Sequence, residues 1–165
     1  MKRFLIFLLL AGLALSCWAC SEPPSVTFYY VRDESAYLFG TENAVIVGEI
    51  RESASNIQNL QDLLILYFHG PLNENFRSPF PRGTSLVDIQ QQGSQLTIRL
   101  SSIASAMKGT DLTLACACLA KTCFDVTNVE AVTILATGFG NISVTLSRDS
   151  LLLIDDAVPA LAEQS

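Results

Sequence analysis

Leu112-Thr113-Leu114-Ala115-Cys116-Ala117-Cys118-Leu119-Ala120 decides how this chain folds. The run is apolar nearly all round, so a helix built from it must be buried on more than one side. It predicts a helix from about Thr110 to Phe124. Thr110 or Asp111 can cap it, and the Asp111 charge suits the positive helix end. Upstream, Ser53 to His69 reads as another helix. Ile57, Leu60, Leu63, Leu64, Tyr67 and Phe68 recur at three- and four-residue steps and form one stripe. Ser53 or Ser55 can cap its start, and Gly70-Pro71 is a stop signal.

Strands surround these two helices. Val26 to Val31 is rich in β-branched and aromatic residues. Ala36 to Phe39 and Ala44 to Ile50 read as shorter strands about a Gly40-Thr41-Glu42-Asn43 turn. Leu86 to Ile89 and Leu96 to Leu100 flank Gly93, and Leu96, Ile98 and Leu100 alternate with Thr97 and Arg99, which predicts a hairpin. Ala131 to Thr137 reads as a buried strand, and Ile142 to Leu146 with Leu151 to Ile154 as a closing hairpin. The order β-β-β-α-β-β-α-β-β predicts an α/β (α+β) fold. A mixed sheet with both helices on one face is the simplest arrangement that buries them.

The N-terminus carries a different signal. Lys2 and Arg3 precede an apolar or small-residue run from Phe4 to Leu15. That run is shorter than the roughly 20 residues a membrane span needs, and has the layout of a secretory signal. Ala14-Leu15-Ser16-Cys17 fits a lipobox, which predicts cleavage before Cys17 and a thioether from its sulfur to diacylglycerol. Each buried CH₂ of the two acyl chains adds about 0.8 kcal/mol, enough to anchor the chain stably. Cys20 is a rival site, although Trp18 and Cys17 suit its preceding positions poorly, and an ordinary cleaved signal is the remaining alternative. The expected division is a signal over 1–16, a lipidated tether over 17–25, one domain over 26–156 and a flexible tail over 157–165. After the signal about 145 residues remain, which fits one domain with one core.

Among the 165 residues acids outnumber bases, for a net charge of −6 and a pI near 4.6. A phosphate-binding face needs excess Lys and Arg, so nucleic acid is excluded as a partner, as is peripheral adhesion to anionic lipid. His69 is the chain's one histidine. At the end of a predicted helix it suits the helix dipole better than it suits a catalytic dyad, and a zinc enzyme usually needs two or three histidines. Cys116 and Cys118 point about 200° apart on a helix, and Cys116 and Cys123 lie about 10 Å apart. That is beyond disulfide reach, so the three read as small buried thiols rather than a metal site. Asp149, Asp155 and Asp156 lack the spacing and turn glycine of a calcium loop. No catalytic residue, metal or cofactor is expected.

One segment resembles a known family. Gly70-Pro71, then Leu72 to Phe76, then Arg77-Ser78-Pro79-Phe80-Pro81-Arg82-Gly83-Thr84 is similar to the helix end and Pro-rich loop of GerMN domains. The hairpin strands over Leu86–Ile89 and Leu96–Ser101, the later helix with Val129 to Leu135, and Phe28-Tyr29-Tyr30 fall where that family has its hairpin, helix and strand, and opening strand. The similarity covers roughly residues 26 to 140. It implies an extracytoplasmic domain of lipoproteins linked to sporulation, germination and envelope assembly. It also implies kinship with the ring-building domains of sporulation complexes.

The expected function is a lipid-anchored binding or scaffold module on the outer face of the cell membrane, not an enzyme. Its partners would be envelope proteins or peptidoglycan, with an oligomer possible. A small-molecule-binding lipoprotein is the alternative. The candidate interaction loop is Arg77, Ser78, Pro79, Phe80, Pro81, Arg82, Gly83 and Thr84, because aromatic and Arg side chains favour interface anchors. The competing reading puts Phe80 in the core and leaves the prolines to stiffen the loop.

Overall fold

The computed structural model describes residues 25–33, 45–54 and 57–155. Two sheets organise them. The first has the order β2-β1-β3, built from β1 (Val26–Arg32), β2 (Ile46–Arg51) and the two-residue β3 (Phe76–Arg77). The second has the order β4-β5-β6-β7, built from β4 (Leu86–Gln92), β5 (Gln95–Leu100), β6 (Ala131–Thr137) and β7 (Asn141–Ser147). Helix α1 (Leu60–Phe68) follows β2, α2 (Gly109–Val126) joins β5 to β6, and α3 (Arg148–Asp155) follows β7. Strands β5 and β6 run parallel, as a helical crossover between them requires, and the other pairs are antiparallel.

The mixed α+β class agrees with expectation, but the strands split into two sheets instead of one. The free edge of β1 shows why. Tyr29 donates its N–H to Thr122 Oγ1 on α2 at 3.0 Å, and its carbonyl accepts from Tyr67 Oη on α1 at 3.1 Å. Beyond it, Val31 and Arg32 pair with β3. Helices and a short strand thus take the hydrogen bonds a neighbouring strand would take, so the sheet stops there.

Helix α2 packs along β1 and also reaches β6 and β7. Ala115 through Ala120, Cys123 and Phe124 are all buried, which is the all-round burial its composition demands. Small Ala and Cys side chains let it approach both sheets closely. One core joins the elements, with Phe28 and Tyr30 of β1, Tyr67 of α1, Ile98 of β5, Leu119 of α2 and Ile134 of β6 among its members. Tyr30 and Tyr67 stack at 5.1 Å, and Phe28 meets Tyr67 edge-on at 5.9 Å.

Several expected boundaries move. The first helix begins at Leu60 rather than Ser53, and its cap is Asn59, whose side chain accepts from Gln61 N–H. Glu52–Ala54 instead forms a separate 3₁₀ turn. The second helix is flanked by Lys108 and starts at Gly109, without a side-chain cap from Thr110 or Asp111. The strand expected over Leu151 to Ile154 is part of α3. Ser147 and Ser150 explain this correction. Ser147 Oγ accepts from the Ser150 N–H at 3.3 Å, and Ser150 Oγ accepts from the Ser147 N–H at 3.2 Å. This reciprocal cap starts a helix directly at the end of β7. The strand expected over Ala36 to Phe39 lies outside the described residues, as do the signal, the tether up to Pro24, Asp156 and the tail.

Candidate functional site

The Pro-rich loop begins where α1 ends. His69 is the C-terminal cap residue, and Gly70 follows with φ +92° while donating its N–H to the Tyr67 carbonyl. A side chain there would be strained, which is why glycine stands at this stop. The next turn is gripped from β2. Glu49 accepts from the Leu72 N–H and the Asn73 N–H, each at 2.9 Å to Oε2, and from Arg51 Nε at 2.6 Å to Oε1. Arg51 Nη2 donates to the Gly70 carbonyl at 2.7 Å, and its guanidinium sits 5.0 Å from the Phe28 ring centre.

Both charges are buried, whereas Ile50 between them is 69 % exposed. Strand β2 is therefore turned opposite to what its hydropathy suggests. The carboxylate and guanidinium face inward because the turn after α1 offers them amides and a carbonyl. The sequence contained one usable clue: opposite charges two residues apart share one face of a strand.

The loop itself divides in two. Pro79 and Phe80 are buried, and Phe80 packs on Phe68 with ring centres 5.4 Å apart. Thr84 is also buried, and its N–H closes a turn on the Pro81 carbonyl, with Gly83 at φ +86° in the third position. Ser78 Oγ accepts from the Phe80 N–H. Arg77, Pro81, Arg82 and Gly83 face solvent. The Phe80-in-core expectation therefore describes half the loop, and the other half projects outward. A groove of about 470 Å³ runs between the end of α1 and this loop, with His69, Arg77, Arg82 and Thr84 on its walls. A second, of about 590 Å³, lies on the other side, between Arg77–Pro81 and Met107, Lys108 and Asp111.

A neighbouring feature went unread in the sequence. Buried Ser105 receives the N–H groups of Phe139 and Gly140 on its Oγ, at 2.9 and 3.3 Å, and donates to the Ser102 carbonyl. It pins the β6–β7 turn so that Phe139 stands 82 % exposed. Nothing in the local pattern marks a serine 34 residues away as the pin.

Cys116, Cys118 and Cys123 are free and buried, in accord with packing thiols. Burial pushes the Cys116 thiol up to about 11 and Cys118 to about 12, and raises Cys123 further. They are held as neutral thiols, poor nucleophiles and poor metal ligands. Among the described residues no three His, Cys, Asp or Glu side chains gather as a metal set, and no helix is long and apolar enough to cross a membrane. Cys17 and its rival Cys20 lie outside the described residues.

These features define a mixed α+β domain with helices packed on two sheets and a pinned loop at one end. Residues 27–139 match the model of the Germane family, described as "Sporulation and spore germination", and the chain belongs to that family. The resemblance seen in the Gly70–Thr84 stretch is thereby borne out. None of the curated proteins matches the chain. Among solved structures, a candidate lipoprotein from Clostridium perfringens overlaps it loosely, at 17 % identity and TM-score 0.47 over 76 % of this chain and 88 % of that one.

Proposed function

We propose that this chain is a lipid-anchored, extracytoplasmic lipoprotein whose domain is a non-catalytic binding or scaffold module of the cell envelope, serving sporulation or germination. The lipobox ending at Cys17 supports the anchor, and the family supports the process. One observation carries the binding reading. The turn before the loop is locked by the buried Glu49–Arg51 pair, while Arg77 and Arg82 beyond it project beside grooves and their guanidinium groups make no hydrogen bond or ion pair among the described residues. A rigid frame presenting uncommitted guanidinium groups suits docking, because little side-chain and loop order is lost on binding. The raised thiols, removed from solvent, support a role without nucleophilic chemistry.

Two measurements test this. Cys17→Ala should abolish labelling by radioactive palmitate and release the chain from the membrane fraction, whereas Cys20→Ala should do neither. A Cys17→Ala chain that still labels and sediments with membranes defeats the anchor. For docking, a photo-crosslinking residue at Pro81 in sporulating cells should give a discrete envelope adduct that one at Gln92 on β4 does not. Identical adduct patterns from both positions would defeat the assignment of the loop.

A further inference from the structure

We propose that the groove between the end of α1 and the Phe76–Thr84 segment docks an acidic peptide segment of a partner protein, whose carboxylates are held by Arg77 and Arg82. This rests on the reading of the loop as the docking surface and names what it takes.

Charge is the first ground. The chain carries 16 acidic and 10 basic residues, yet no Asp or Glu lines this groove, while His69, Arg77 and Arg82 do. Arg51 and Arg148 are consumed by carbonyls and a carboxylate within the fold. Arg77 and Arg82 are exposed and have no such bond among the described residues. A guanidinium offers a planar fork that matches a carboxylate with two parallel hydrogen bonds.

Thr84 supplies a second, independent ground. It lines the groove, is 7 % exposed, and its Oγ1 has no hydrogen-bond partner. Buried hydroxyls are nearly always bonded, so an orphan on a groove wall marks a place where an incoming polar group is the missing partner. The remaining walls favour peptide over glycan. Phe68, Phe76, Phe80 and Pro81 present apolar surface, and the two wall hydroxyls are Ser78, already accepting from Phe80 N–H, and Thr84. A sugar chain would bring many hydroxyls to these few polar wall groups, whereas a peptide that alternates acidic and apolar residues sets carboxylates on the guanidinium forks and apolar side chains on the rings.

The test uses the full-length chain in neutral detergent and a fluorescein-labelled octapeptide alternating glutamate with leucine. Its glutamine counterpart and soluble peptidoglycan glycan strands serve as comparison probes. The glutamate peptide should bind, its affinity should fall as salt rises, and the glutamine peptide should bind far more weakly. The double variant Arg77→Gln/Arg82→Gln should weaken binding roughly tenfold. Arg99→Gln, on exposed β5 surface, should leave it unchanged. Thr84→Val should weaken binding while Tm holds or rises, an outcome a purely structural Thr84 would not give. Equal binding of both peptides, wild-type affinity in the double variant, or binding of glycan strands in place of the peptide each overturns the proposal. If the peptide fails while the Pro81 crosslink persists, the ligand class alone falls. If both fail, the docking reading falls with it.

Discussion

Replacing Glu49 by glutamine should cost this domain a large part of its stability. The carboxylate holds Arg51 Nε at 2.6 Å and the Leu72 and Asn73 amides at 2.9 Å. Glutamine keeps one acceptor oxygen and turns an NH₂ group toward donors. The Arg51 side chain, 4 % exposed, would then be a buried charge without its counter-ion. Removing one partner of a buried pair costs about 3–5 kcal/mol. Exposed Leu72 and Asn73 can pass their amides to water, which places the expected loss at the lower end, about 3 kcal/mol. For a domain of this size that is a fall of roughly 10 °C in Tm. Arg51→Met keeps an apolar stem over Phe28 and leaves Glu49 its two amides, so it should cost less, about 2 kcal/mol. The double variant should lose about 3 kcal/mol, not 5, a coupling near 2 kcal/mol. Urea unfolding followed by far-UV circular dichroism measures all four corners of this cycle. Because the pair is buried, the coupling should change little with salt. A Glu49→Gln loss under about 1 kcal/mol, or additive single variants, would refute the idea that a buried ion pair locks the turn before the loop.

Three further outcomes follow from the contacts. Arg148 Nη2 reaches the carbonyls of Phe124, Thr127 and Val129 at 2.8, 3.0 and 3.2 Å, so Arg148→Met should cost about 2 kcal/mol in the same unfolding assay. Ser105→Ala should cost about 1–3 kcal/mol by freeing the Phe139 and Gly140 amides, while exposed Phe139→Ser should stay within about 0.5 kcal/mol. Alkali should unfold the domain. The thiols of Cys116 and Cys118 stay neutral in the fold to about 11 and 12, against 9.0 as the ordinary value. Their contribution is therefore intact below pH 9.0 and falls by about 1.4 kcal/mol per pH unit per thiol as pH rises toward the folded values. Burial raises Tyr30 and Tyr67 in the same sense. Stability measured across that range that stays flat would contradict neutral, buried thiols.

Where a pattern is strictly local, the sequence showed it. The β4–β5 hairpin stands where alternation at Leu96–Leu100 and the Gly93 turn put it, and β6 spans Ala131–Thr137 as read. Helix α2 needed only its all-round apolar composition. The loop was found through the Gly-Pro stop and the run to Thr84, and Phe80 in the core was one of two readings left open for it; the choice fell to packing, because Phe68 lies against the Phe80 ring while Arg82 stands exposed. Strand β2 misleads outright: alternation would hide Ile50, yet the fold hides Glu49 and Arg51.

What the sequence alone determined is therefore periodicity and its consequences: the two principal helices, the central hairpin, the mixed α+β class, the family, and a loop bearing two arginines. Tertiary structure alone decided that β1's edge is closed by α2 and Tyr67 so that two sheets form, that a serine pair turns the chain after β7 into a helix, and that charge faces inward on β2. Each of these depends on a hydrogen-bond partner brought near by folding rather than by chain order. A propensity is carried by neighbours along the chain, whereas an unsatisfied amide, carbonyl or charge takes whatever group packing places beside it.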